Sequence, residues 1–142
     1  MIKSFQKDDL DKVMQIWLEA NITAHSFIKN EYWLDNYIIL KDIFPQAEIY
    51  IYEDIITQDI VGFIGLSNNY IEGIFVKEAF RSKGVGKALL DYAKQIKSHL
   101  SLRVYQKNIR AVSFYKREQF KIQSADIDNA TNEQEFVMIW SR

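Results

Sequence analysis

The segment best equipped for chemistry reads Arg81-Ser82-Lys83-Gly84-Val85-Gly86-Lys87. It follows an apolar strand pattern, Ile74-Phe75-Val76, and opens an amphipathic helix pattern. The first turn of a helix has four amide N–H groups without helical partners and about half a positive charge. Successive amides in such a turn form a concavity suited to an anion. Gly84 and Gly86 let a phosphate approach the backbone with no Cβ in the way. Arg81, Lys83 and Lys87 add cationic donors. Two nucleotide motifs do not fit. A Walker A loop needs Ser or Thr after its lysine, and Ala88 follows Lys87. A Rossmann turn needs a third glycine where Leu89 stands, and no acidic residue ends the next strand pattern.

A second element follows at a suitable distance. A strand pattern, Leu102-Arg103-Val104-Tyr105-Gln106-Lys107, leads to Asn108 and then to Ile109-Arg110-Ala111-Val112-Ser113-Phe114-Tyr115. Asn108 sits where a helix N-cap would sit. Together, Arg81-x-x-Gly84-x-Gly86 and Asn108-x-x-Ala111-x-x-Phe114-Tyr115 resemble the two signatures of the GNAT family of N-acetyltransferases. The likeness covers the whole chain and is closest to small bacterial members, among them protein-lysine acetyltransferases. It extends to Trp17, His25-x-Phe27-Ile28-Lys29 and Tyr32-Trp33.

That resemblance implies an enzyme that binds acetyl-CoA and acetylates an amine by direct attack in a ternary complex. It implies cofactor contacts from Ile74, Phe75, Val76, Arg81, Ser82, Lys83, Gly84, Val85, Gly86, Lys87, Asn108, Ala111, Phe114 and Tyr115. Tyr115 would protonate the departing thiolate, and an amide near Val76 would polarise the thioester carbonyl. The competing reading of the same motifs is a non-catalytic CoA-binding or sensing module. Two departures stand out. Glu78-Ala79 replaces a proline common in the family, and Gln119 stands where relatives carry glycine before Phe120. A left-handed residue at that turn would make Gln cost about 1 kcal/mol against glycine.

An amine must be neutral to attack, so a base belongs near the strand pattern at 70–77. Strict alternation would put Tyr70, Glu72, Ile74 and Val76 on one face. Glu72 is the candidate base; the bland alternative is a solvated strand-end carboxylate. Tyr70, His25, Phe27, Tyr32 and Trp33 are the candidate acceptor-side residues. The segment 126–133 carries three carboxylates and reads as a solvated hairpin loop.

Several elements must position these groups. Period-two patterns give strands at 2–5, 48–52, 60–66, 70–77, 102–106, 120–125 and 135–140. Helical periods give one helix from residue 7, a broken one over 27–44, one over 84–100 and a short one over 110–118. In the third, Val85, Leu89, Tyr92, Ala93, Ile96 and Leu100 share a face. The order β-αα-βββ-α-β-α-ββ predicts a single α/β (α+β) domain over 1–142, with a mixed sheet of about seven strands and four helices.

Composition narrows the rest. The chain has 142 residues, 48% of them hydrophobic, and a formal net charge of −1. That balance argues against disorder and against a nucleic-acid partner. Without cysteine there is no disulfide, thiolate metal site or cysteine acyl-enzyme. Two histidines, His25 and His99, do not suggest zinc. No metal is expected. No signal peptide or membrane span is evident, so the expected place is the cytoplasm. Family members of this type are monomers or homodimers, and the expected partner is a small-molecule or protein-lysine amine.

Overall fold

The computed structural model describes all 142 residues. Seven strands form one sheet in the order β1-β2-β3-β4-β5-β7-β6. They are β1 Ile2–Ser4, β2 Glu48–Glu53, β3 Ile60–Ser67, β4 Tyr70–Val76, β5 His99–Tyr105, β6 Lys121–Asp128 and β7 Glu133–Ser141. The helices are α1 Leu10–Ala24, α2 Asn30–Ile43, α3 Val85–Ile96 and α4 Ile109–Arg117. Neighbouring strands run antiparallel except β4 and β5, which are joined through α3 and run parallel. The element order and the mixed sheet match the expectation.

Each helix lies where its apolar stripe finds the sheet. Val13, Ile16 and Trp17 of α1, with Ile28 and Trp33, pack on Ile49, Ile51 and Phe63. On the opposite face, Leu89, Leu90 and Ala93 of α3, with Val112 and Tyr115 of α4, pack on Ile64, Ile71, Leu102 and Val104. Central β3 is buried on both faces and so reads as a continuous apolar run. Leu89 is fully buried, and Leu89→Ala would cost on the order of 2–5 kcal/mol.

Two expectations needed correction. The third helix ends at Ile96, not at residue 100. Lys97 is extended (φ −127°, ψ 138°), and His99 pairs with Ser141 of β7. Leu100 enters the same core from the strand that it would have entered from the helix, which is why its period misled. Sheet pairing overrode local propensity there.

The second correction concerns β4. Its register with β3 runs Gly65 to Gly73 and then Leu66 to Ile71, leaving Glu72 as an extra residue. This bulge shifts the alternation, so Ile71, Ile74 and Val76 all reach the α3-side core. Tyr70 and Glu72 therefore do not share a face with Ile74 and Val76.

Candidate functional site

The site is built on a separation. β4 and β5 pair only at Tyr70 with Ser101 and Ile71 with Leu102, after which no pairing joins them. The N–H of Lys77 bonds to Val61 of β3. Antiparallel strands turn alternate residues to alternate neighbours. The Val76 amide consequently faces the gap on the β5 side.

At one border of the gap lies the basic turn. Gly84 precedes α3 with φ +85°, a conformation that favours glycine, and a Cβ there would meet nothing within 4 Å. Ala88 makes the first backbone bond of α3, to the Gly84 carbonyl. The amides before it in the turn lack helical acceptors. Beneath Gly86, the Phe114 ring would lie 3.7 Å and Ile74 3.9 Å from an added Cβ, so both floor the turn. A cavity of about 170 Å³ opens beside the turn between α1 and the end of β4, lined by Ile16, Glu19, Thr23, Val76, Lys77 and Arg81. Open amides, an unobstructed glycine and a parted sheet fit the diphosphate and linear arm of coenzyme A.

The cations are distributed differently from the expectation. Lys87 turns along its helix and bonds Asp91 and Glu118, at 3.1 Å each, which pushes its ammonium up. Its i,i+4 spacing puts the Asp91 carboxylate within its reach, so a phosphate would compete with that exposed pair for Lys87. Arg110, which sequence reasoning missed, comes from α4 instead; its guanidinium donates to Ser82 Oγ at 2.9 Å. No local motif links residues 28 positions apart, so only the fold could reveal it. Lys83 leans over the Phe80 ring at 5.6 Å.

Across the gap stands α4. Asn108 Oδ1 accepts from the Ala111 N–H at 3.2 Å, a true N-cap. Its Nδ2 lies 3.0 Å from His25 Nε2. Both ends of the amide are engaged, leaving one N–H and one oxygen lone pair of Asn108 open to a further partner. Tyr115 is 7% exposed, with its ring against Phe114 and Phe120. Its hydroxyl bonds nothing in the protein, yet the buried polar atoms left without partners are His25 Nδ1 and Trp33 Nε1. The Tyr115 hydroxyl is thus not sealed from solvent. Burial, and secondarily Tyr70, push the phenol well above its ordinary range.

The acceptor face collects groups from four elements. Glu72 is exposed in the bulge, and partial burial of its carboxyl raises its pKa. Burial, and then Glu72, raise Tyr70. Burial raises Glu135 of β7, with Asp128 adding to it and Arg103 opposing. Tyr32 is raised by burial and by Asp128 and Glu135. Tyr105 donates to Asp128 at 2.7 Å. Glu135, Arg103 and Tyr105 were not singled out from sequence; their strands gave no motif, and it is register that aligns Tyr105 with Glu135.

The remaining acceptor-side residues divide. Phe27 and Tyr32 are partly exposed. Phe27 packs edge-on to Tyr105 at 5.7 Å. Trp33 is 6% exposed, held between Trp17 and the His25 ring, and belongs to the core. His25 is wedged among Trp33, Phe27 and Tyr105, with ring centroids 5.1–5.6 Å away. Burial lowers it to about 4; an approach to the Asn21 carbonyl, too poor to be a hydrogen bond, offsets this in part. The carboxylates of 126–133 are largely occupied, Asp126 by Arg103 and Glu133 by Lys107.

Known proteins share this fold. The GNAT acetyltransferase-domain family model matches residues 45–122. The peptidyl-lysine N-acetyltransferase YiaC of Escherichia coli is 31% identical over 142 residues, covering 99% of this chain and 96% of that one. The peptidyl-lysine N-acetyltransferase YjaB of Salmonella typhimurium is 28% identical, covering 85% and 83%. Among solved structures, apo YjaB of Escherichia coli superposes with a TM-score of 0.87 at 22% identity, covering 99% of this chain and 96% of that one. The PaiA N-acetyltransferase of Thermoplasma acidophilum, in complex with coenzyme A, gives 0.82 at 20% identity, covering 100% and 98%. With a domain match over more than half its length and a full-length relative above 30% identity, the chain belongs to the GNAT family and is an acetyl-CoA-dependent N-acetyltransferase.

Proposed function

We propose that this enzyme acetylates lysine side chains of proteins or peptides, by direct attack of the amine while both substrates are bound. The observation that carries the reading is the parting of β4 and β5 after Ile71 and Leu102, beside the open amides that begin α3. The lysine preference is supported by the names of the relatives and by the carboxyls of Glu72 and Glu135 on the acceptor face. The proposed place of action is the bacterial cytoplasm, supported by the bacterial source of those relatives.

Acetyl-CoA supplies an activated acetyl thioester when bound. Arg81, Ser82, Lys83, Gly84, Val85 and Gly86 would hold its diphosphate, with Arg110 as a further cation. Ile74, Phe75 and Val76 would hold the pantetheine arm with backbone groups. The Val76 N–H would donate to the acetyl carbonyl oxygen, and that bond strengthens as the oxygen gains charge.

A lysine with pKa about 10.4 needs roughly 4–5 kcal/mol to lose its proton at neutral pH. Glu72 would accept that proton, directly or through water. The rise caused by its partial burial makes it a better base than an open carboxylate. Tyr115 would donate to the departing sulfur. Its raised pKa keeps the proton in place at physiological pH but makes full transfer uphill. Tyr115 therefore works first as a hydrogen-bond donor that gains strength as thiolate charge builds.

Incubating the protein with acetyl-CoA and a panel of amines, while following free thiol, tests this. The panel needs a lysine peptide with a blocked N-terminus, a lysine-free peptide with a free N-terminus, and a polyamine. Fastest release with the blocked lysine peptide is expected. Release confined to either of the others removes the lysine reading.

A further inference from the structure

The connection between α1 and α2 carries a histidine that the proton transfers above do not use. His25 Nε2 lies 3.0 Å from Asn108 Nδ2. Which amide atom is oxygen and which is nitrogen can be read from its other end. The Ala111 N–H can only donate, so the Asn108 atom 3.2 Å from it must be the oxygen. The nitrogen then faces His25 and donates, so Nε2 must be the unprotonated ring atom and the ring proton sits on Nδ1. The ring is fixed by Trp33, stacked at 5.3 Å, and by the edges of Phe27 and Tyr105. Its backbone is fixed too: His25 N–H donates to Asn21, and its carbonyl accepts from Ile28.

This contact spans the weakest join in the sheet. Past Ile71 and Leu102, β5 has no partner on its β4 side. The nine-residue helix α4 follows from that end, which β7 holds on its other side only, and carries Tyr115. No other hydrogen bond connects α1, α2 or their connection to α4. A helix this short depends on its cap, and a lost cap costs roughly 1 kcal/mol.

We propose that His25 is a positioning residue: by orienting the Asn108 amide it sets the N-terminus of α4 and, through it, the placement of the Tyr115 hydroxyl. The inference rests on the acetyl-transfer reading for its kinetic consequence. It differs from the expectation that His25 contacts the acceptor, and the two make opposite kinetic forecasts.

The test compares His25→Ala, His25→Gln, Asn108→Ala and the double alanine variant. With acetyl-CoA and a lysine peptide, His25→Ala and Asn108→Ala each lower kcat by about tenfold, with peptide KM nearly unchanged, because a displaced donor loses rate and not binding. The double variant is no slower than the worse single one, since both remove one linkage. His25→Gln restores most of kcat, because its amide oxygen can accept from Asn108. A rise in peptide KM at unchanged kcat, or losses that multiply, overturns the proposal. Two readouts do not need turnover. Nitrogen NMR of the wild-type imidazole shows Nδ1 protonated and Nε2 bare, and the Ala111 amide exchanges faster in His25→Ala. The opposite tautomer, or unaltered exchange at Ala111, defeats the linkage. If the wild type acetylates no amine, the functional reading fails while these two arms still decide on His25.

Discussion

The two sides of the cleft are built on different principles. The cofactor side is a stretch of backbone: an apolar strand, a basic glycine turn and a helix start, all within residues 70–96. Its working groups are main-chain amides, which any sequence of the right conformation supplies. The acceptor side has no such stretch. Tyr32, Tyr70, Glu72, Tyr105 and Glu135 come from α2, β4, β5 and β7, and a bulge and a strand register bring them together. A site made of backbone is written locally and can be transferred whole between relatives. A site made of scattered side chains can change its substrate without disturbing the fold.

That contrast can be broken, most forcefully at Tyr115. Tyr115→Phe removes the hydroxyl and keeps the ring, so kcat should fall on the order of 10²–10⁴-fold with coenzyme A affinity intact. Thiol release and a calorimetric titration check the two halves, and unchanged turnover removes Tyr115 from its role.

A double charge reversal, Arg81→Glu with Lys83→Glu, addresses the backbone side. Coenzyme A affinity should drop by about tenfold or more at low salt, and the difference from wild type should shrink as salt screens the charges. Titrations at two ionic strengths show it; a loss insensitive to salt would mean a folding defect.

On the acceptor side, Glu72→Gln should cost about tenfold in kcat/KM and remove the acid limb of its pH profile. The sign follows from the carboxyl. Its pKa is raised by burial, and it serves only when ionised, so activity is lost as pH falls through that raised value. A limb that persists in the variant would pass the role to Glu135 or to water.

The smallest effect sharpens the comparison by sparing both sides. Gln119 sits at φ +74° in the turn that ends α4. Gln119→Gly should stabilise the fold by about 0.5–1 kcal/mol, seen as a rise in Tm, with kcat unchanged. Its side chain gives up only a 3.4 Å bond to the Arg117 carbonyl.

The left-handed turn at Gln119 was readable because the family pattern marks it with glycine, and the N-cap at Asn108 because capping is a local bond. Arg110 and Lys87 show the limit. Sequence spacing nominated Lys87 for phosphate, but its own helix offers Asp91 one turn on, while Arg110 reaches the turn from another element. His25 was noticed for its chemistry, but its contact with Asn108 was not legible, because that partner lies 83 residues away.

By itself the sequence determined the order of strands and helices, the phosphate turn and the capped helix that carries Tyr115. Each depends on hydrogen bonds and periodicities that close within a few residues. Only the tertiary structure decided where β4 bulges, where α3 stops, which cations are held in ion pairs and which strands bring their side chains to the mouth of the cleft. Those outcomes depend on strand register and packing between distant segments, where the local preference of a residue is outweighed by what the sheet sets beside it.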